Sequence, residues 1–207
     1  MRELVFQMMT TLNGRLDQPF EWVDGVTEDH YRAIEALYQT YDTILVGRTT
    51  YDEMAGYWPG ALASGEGTAS NQRMAQHMHE YRKLVFSRSG ERPLEPWNNS
   101  QQVVTESDAA LTGYITALKG EPGRDIQLSG GASLAQAVIR LGLVDRFEFF
   151  VYPTVSAGST WFGGLEGKLD LHLNKATPFE NGVLGLTYTP RDRLDMGNPQ
   201  RFTELLV

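Results

Sequence analysis

Three apolar runs, each ending in a Gly, Ser or Arg turn, constrain this chain most. They are DTILVGRTTYDEM (42–54), KLVFSRSG (83–90) and DIQLSGGASLAQAVI (125–139). In an open α/β sheet, ligands sit outside the carboxyl ends of the parallel strands. Backbone N–H groups at such turns and at helix N-termini are ready anion sites. One Gly-rich turn means little, but three in one domain point to a long polyanionic ligand such as a dinucleotide.

Each turn offers a different chemistry. Gly47 lets the backbone approach a phosphate, and Arg48, Thr49 and Thr50 add N–H, hydroxyl and guanidinium donors suited to a pyrophosphate. Ser87, Arg88 and Ser89 form a hydroxyl–guanidinium–hydroxyl cluster suited to an isolated phosphate monoester. The 2′-phosphate that separates NADP from NAD is such a group. Gly130, Gly131, Ala132 and Ser133 open an apolar helix, where two glycines permit close packing and phosphate contact together. The bland readings are capped strand-to-helix turns and a solvated turn. The G-x-G-x-x-G dinucleotide fingerprint is absent.

The remaining punctuation gives a coarse layout. Residues 3–9 read as a first strand, followed by a turn at Asn13-Gly14. Thr27 is the expected N-cap of a helix carrying Tyr31, Ile34, Leu37, Tyr38 and Tyr41 at helical spacing. Residues 43–46 read as a buried strand. A helix from about Thr49 to Tyr57 is expected to stop before Trp58-Pro59, since the residue before proline avoids the α region. Residues 59–70 (PGALASGEGTAS) read as loop, and a polar helix spans about Asn71 to Tyr81. Strands follow at 83–86, 101–104 and 126–128. Ser107 caps a helix carrying Leu111, Tyr114, Ile115 and Leu118, and Gly142 ends a helix opened at Gly130-Gly131. Residues 146–155, 170–176 and 183–189 are strand-like with little helix between them. The layout is an α/β core followed by an antiparallel edge on the same sheet, in one domain over residues 1–190. Residues 191–207 form a charged tail, assigned to that domain or to a dimer contact through Phe202, Leu205, Leu206 and Val207.

Composition narrows the function classes. The chain has 207 residues, 41% hydrophobic, which suits a globular domain with a substantial core. No apolar run reaches the length of a membrane span, and residues 4–12 are too polar for a secretory leader. No cysteine is present, which removes disulfides, thiolate metal sites and cysteine nucleophiles; a cytoplasmic location is the expectation. A net charge of −8 argues against nucleic-acid binding while leaving room for a local basic pocket. His77 and His79 lie two apart, the wrong spacing for one helical face, and H-E-x-x-H is missing, so no metal site is expected. No G-x-S-x-G elbow supports a nucleophilic hydrolase.

Taken together, DTILVGRTTYDEMAGYW, KLVFSRS with the later WNNS, and DIQLSGGASLAQAVIRLGLVDRFEFFVYPTVSAGSTWFGG resemble the dihydrofolate reductase-like superfamily. The resemblance is to its bacterial branch, which includes the reductase domain of riboflavin biosynthesis, and covers residues 2–190. It implies a mainly parallel central sheet with an antiparallel C-terminal edge, helices on both faces, and NADPH across the strand ends. On matching positions Gly47, Arg48, Thr49 and Thr50 hold the pyrophosphate, and Ser87, Arg88 and Ser89 hold the 2′-phosphate. Gly130, Gly131, Ala132 and Ser133 meet the phosphate bridge from the other side. MTTLNG matches the loop beside the nicotinamide, with Asn13 where the common pattern has Asp, followed by Gly14. Folate reductases carry a carboxylate on their first helix, and Asp29 lies roughly there. The zinc deaminase half of the bifunctional riboflavin enzymes is missing.

The expected activity is hydride transfer from NADPH to a small heterocyclic (pterin- or pyrimidine-like) or carbonyl/imine substrate, by a homodimer. One alternative is a nucleotide-binding or assembly protein that keeps the fold without turnover. Another is a standalone diaminopyrimidine reductase acting on a ribosyl-phosphate substrate.

Overall fold

The computed structural model describes residues 1–90 and 92–191. The tail assigned from the sequence to docking therefore lies, apart from Arg191, outside the described residues. The elements run β1 (Leu4–Thr11), α1 (Glu28–Tyr38), β2 (Tyr41–Gly47), α2 (Arg48–Ser64), α3 (Ala69–Glu80), β3 (Arg82–Ser87) and β4 (Ser100–Val104). They continue with α4 (Asp108–Gly120), β5 (Asp125–Gly130), α5 (Ala132–Arg140), β6 (Arg146–Tyr152), β7 (Leu171–Pro178) and β8 (Leu184–Pro190). One eight-stranded sheet forms, in the order β4-β3-β2-β5-β1-β6-β8-β7. The strands from β4 to β6 pair in parallel, and β8 pairs antiparallel with both β6 and β7. The expected parallel sheet with an antiparallel C-terminal edge is what forms.

The central strands are buried on both faces, and this explains their continuous apolar runs. Alternation in β1 sorts the two sides (period 2). Leu4 and Phe6 join a core with Leu111, Ile115 and Leu118 of α4 and Ala135, Val138 and Ile139 of α5. Val5 joins the opposite core with Ile34 and Tyr38 of α1, Tyr51 of α2 and Met74 and Met78 of α3. Connections from β2 toward β3 run one way along the sheet and those from β5 toward β6 run the other. Right-handed crossovers then place α2 and α5 on opposite faces.

Two expectations give way. Tyr41 opens β2 rather than closing α1; it is fully buried and stands 5.9 Å from the Tyr38 ring. Helix α2 does not stop at Trp58 but runs through Pro59 to Ser64. Proline's fixed φ is compatible with a helix, and the interior position forfeits one backbone hydrogen bond. Ala61, Leu62 and Ala63 favour the helix beyond it. The exposed carbonyl of Ala61 accepts from Gln72 Nε2 at 3.1 Å and from Ser64 Oγ at 3.2 Å, and Gly65 ends the helix at φ 65°. The expected 59–70 loop shrinks to a short link before Thr68, whose hydroxyl caps α3 by accepting from Asn71 N.

Lys83 ties α3 to the sheet. It is fully buried, and its Nζ donates to the carbonyls of Met78, His79 and Tyr81 at 2.6–3.0 Å. These are end carbonyls that a helix leaves unpaired, and a cation there also complements the helix dipole.

The interior proline gives a direct test. Pro59→Ala restores the missing N–H donor, and α2 should gain about 1–3 kcal/mol. Thermal unfolding should then rise by about 2–4 °C per kcal/mol.

Candidate active site

A large cavity lies where β2 and β5 end side by side. They pair up to Val46 opposite Gly130, with an irregularity after Leu45–Leu128. The helices that follow leave on opposite faces, so a crevice opens between their N-termini. Gly47 and Gly131 are the N-cap residues of α2 and α5, and neither helix has a side-chain cap. The first-turn N–H groups of both helices are thus left for a ligand or solvent.

Close approach explains the glycines. A Cβ on Gly131 would meet Thr50 Oγ1 at 2.8 Å, and one on Gly47 would lie 3.4 Å from Gly131 N. Gly130 has φ +99°, a conformation side chains rarely adopt, and the Gly130–Gly131 peptide is cis.

The cavity here measures about 1000 Å³, at the upper end of the range for small-molecule sites. Gly47, Arg48, Thr49, Thr50, Ser87, Arg88, Gly131, Ala132 and Ser133 all line it. The three turns singled out from the sequence therefore meet at one site, although together they span more than 80 residues of the chain. The donor set fits a dinucleotide's anionic groups: two uncapped helix N-termini, hydroxyls and a guanidinium.

Several side chains sit differently from the expectation. The Arg48 guanidinium turns onto its own protein, donating to Asp52 at 2.9 Å, to Arg92 O at 2.7 Å and to Pro93 O. It clips the 92–93 segment to α2 and leaves the backbone N–H as its donor at the turn. Arg88 donates to Thr105 O at 3.3 Å and to Asp108 Oδ1 at 3.0 Å. Arg140 donates to the other oxygen of Asp108 at 2.8 Å. Hydrogen bonding from Arg88, and then the charge of Arg140, hold the Asp108 carboxyl below its usual range. Arg88 is thus a half-anchored fork at the cavity rim. Ser89 is outside the cavity lining; its carbonyl accepts from Ser87 Oγ and Gln102 Nε2 at 2.5 and 3.4 Å.

Asn13 and Gly14 are not brought to this cavity. β1 continues to Thr11, and the turn after it folds onto residues 154–162 through Leu12 N to Thr154 O and Leu16 N to Ser159 O. Asn13 donates to Ser156 O at 3.0 Å while accepting from Ser156 N at 3.2 Å and Thr11 Oγ1 at 2.7 Å. A carboxylate accepts only, so the amide fits this turn where Asp would not. Gly14 lies beneath Phe162, with no room for a Cβ.

Asp29 is also outside the cavity. Its carboxylate accepts from Thr27 Oγ1 at 2.5 Å, His30 N at 2.9 Å and Glu180 N at 3.1 Å. These bonds, led by the one from Thr27, hold its carboxyl below the usual range. It is a first-turn acid that holds the 179–183 turn through Glu180 N and does not line the cavity. The adjacent His30 is fully buried between Phe150 and Phe179, with ring centroids 4.7 and 4.9 Å away. Burial lowers its pKa to about 4.

Sequence reasoning missed the far wall. Tyr31 of α1, Glu53, Met54, Tyr57 and Trp58 of α2, and Asn71 of α3 line the cavity opposite the turns. The available signal was the i, i+1, i+4, i+5 spacing of residues 53, 54, 57 and 58. Ending the helix at Tyr57 left out Trp58, a residue whose place before Pro59 suits either a cleft border or core packing, and it lines the cavity.

Residues 2–184 match the family described as the RibD C-terminal domain. The chain belongs to that family. A curated relative, the uncharacterized protein YyaP of Bacillus subtilis (strain 168), is 29% identical over 188 residues, covering 90% of this chain and 94% of YyaP. Among solved structures, a putative riboflavin biosynthesis protein from Shewanella sp. PV-4 superposes with a TM-score of 0.65 at 18% identity. That match covers 92% of this chain and 99% of the other. Dihydrofolate reductase from Enterococcus faecalis, complexed with NADP(H) and RAB-propyl, gives 0.59 at 14% identity over 92% of this chain and 97% of its own. The RibD C-terminal domain fold and its resemblance to dihydrofolate reductase are therefore shared features of this chain.

Two tests follow. Gly131→Ala should destabilise by about 1–3 kcal/mol through overpacking against Thr50. Thr50→Ala should recover part of that loss in a double-mutant cycle read by urea unfolding. For His30, the folded pKa lies below the unfolded one, so the unfolded chain binds the extra proton. Stability should fall between about pH 6.5 and 4, by up to about 1.4 kcal/mol per unit, and His30→Phe should flatten that slope.

Proposed function

We propose that this protein is an NADPH-dependent reductase of a small heterocyclic or carbonyl/imine substrate. The observation that carries the reading is the meeting of two uncapped helix N-termini, at Gly47 and Gly131, beside the Ser87–Arg88 rim in one cavity. Membership of the RibD C-terminal domain family supports it, as does the fold shared with a reductase that binds NADP(H).

The N–H groups of Thr49, Thr50, Ala132 and Ser133 would hold the pyrophosphate, together with the Thr50 and Ser133 hydroxyls. Gly131 keeps that approach clear. Arg88 and Ser87 would take the 2′-phosphate, with Asp108 and the Thr105 carbonyl fixing the guanidinium's orientation. When bound, the nicotinamide supplies the hydride. The chain itself binds and orients the two reactants and excludes water. Tyr31 lines the cavity, and burial raises its hydroxyl pKa. It stays protonated at neutral pH and is suited to donate a hydrogen bond to a substrate carbonyl.

A thermal-shift titration with NADPH and NADH in parallel tests this. At about 100 times its dissociation constant NADPH should add about 2.7 kcal/mol of stability. Arg88→Ala should weaken NADPH by about 10- to 100-fold, as expected for loss of a charge-assisted contact, and NADH much less. Equal losses for both would remove Arg88 from that role.

A further inference from the structure

The cavity has two chemically different halves. The anion-binding groups all belong to the strand-end half. The other half lies under α1, α2 and α3, and its wall is built from Ile34, Met54, Tyr57, Trp58, Met74 and Tyr31. The Tyr57 and Trp58 rings are 5.0 Å apart and nearly perpendicular. Aromatic rings and flexible thioethers make an adaptable apolar wall for a flat molecule.

The charge on this side is negative. Glu53 and Asp17 line the cavity. Glu53 is exposed, and among the described residues no ion pair neutralises it. Asp17 accepts from Arg15 Nε at 2.6 Å and from Ser159 N at 3.1 Å, and the first of these chiefly holds its carboxyl below the usual range. The same Arg15 also bonds Glu21 at 2.7 Å, so one guanidinium serves two carboxylates and the trio keeps a net negative charge. Nearby Arg73 is taken by Glu35 and by Ser70. The helix N-termini on this side carry acids or a cap of their own. Asp29 and Glu28 fill the first turn of α1, and Thr68 caps α3.

We infer that the substrate is a flat, uncharged, largely apolar carbonyl or imine compound that carries no phosphate. A phosphate in this half would meet two carboxylates and an apolar wall, losing its hydration with no cation in return. The same field opposes the ribosyl-phosphate pyrimidine consumed by a diaminopyrimidine reductase. The inference rests on the reductase reading for which half holds the cofactor.

A matched pair of probes tests it. 2-Naphthol and 2-naphthyl phosphate are titrated into NADPH-saturated protein, followed by tryptophan fluorescence. 2-Naphthol should bind at least about tenfold more tightly, and Glu53→Lys should narrow that gap about tenfold, as one favourable charge contact allows. Equal or tighter binding of the phosphate, binding of neither probe, or a gap that Glu53→Lys leaves unaltered overturns the inference. NADPH binding is followed separately through its own fluorescence. If it fails, the reductase reading falls, and that failure is seen apart from the outcome for either probe.

Discussion

The site depends on the close passage of two backbones at the ends of β2 and β5. Gly47 and Gly131 approach so closely that one added methyl group would collide with Thr50. Only at that separation do the N-termini of α2 and α5 lie beside one crevice. The sheet order enforces it. β2 and β5 are neighbours, and their onward connections diverge, so right-handed crossovers send the two helices to opposite faces. Each helix leaves its first N–H groups unfilled by its own side chains. The three turns share one site because of this geometry, not because of any one motif.

Charge is distributed around that crevice with a purpose that pairwise contacts make visible. Arg48 is consumed in holding Asp52 and the carbonyls of Arg92 and Pro93. Arg88 keeps its place at the rim through Asp108, a carboxylate it shares with Arg140. On the side of α1, α2 and α3, Arg15 and Arg73 are committed to carboxylates, and Glu53 lines the cavity. A polyanion is thus favoured in one half and opposed in the other. The net charge of −8 is consistent with both halves because it averages over them.

Elements that depend on local pattern were legible in the sequence. The buried strands, the Ser107 cap and the Gly142 stop follow from residues within a few positions of one another. The exception was α2, where Pro59 signals a helix end. Its cost is one hydrogen bond, which the helix formers beyond it and the side chains of Gln72 and Ser64 offset. The expected helix held Glu53, Met54 and Tyr57 but left out Trp58, and helical spacing alone does not say that the four line a cavity.

What the sequence determined by itself was the set of strand-to-helix turns and their chemistry: Gly47 to Thr50, Ser87 to Ser89 and Gly130 to Ser133. Those signals are local because backbone conformation and capping are decided over a few residues. Only the tertiary structure decided which donors remain available. It turned the Arg48 side chain inward, placed Asn13 against Ser156, and closed Asp29 with three donors at the foot of α1. Each of these side chains also has a partner more than 40 positions distant, Arg92, Ser156 or Glu180, and no spacing rule carries that part of the information. The apolar wall of the cavity has the same origin, since α1, α2 and α3 meet only when the sheet brings their apolar faces onto one side.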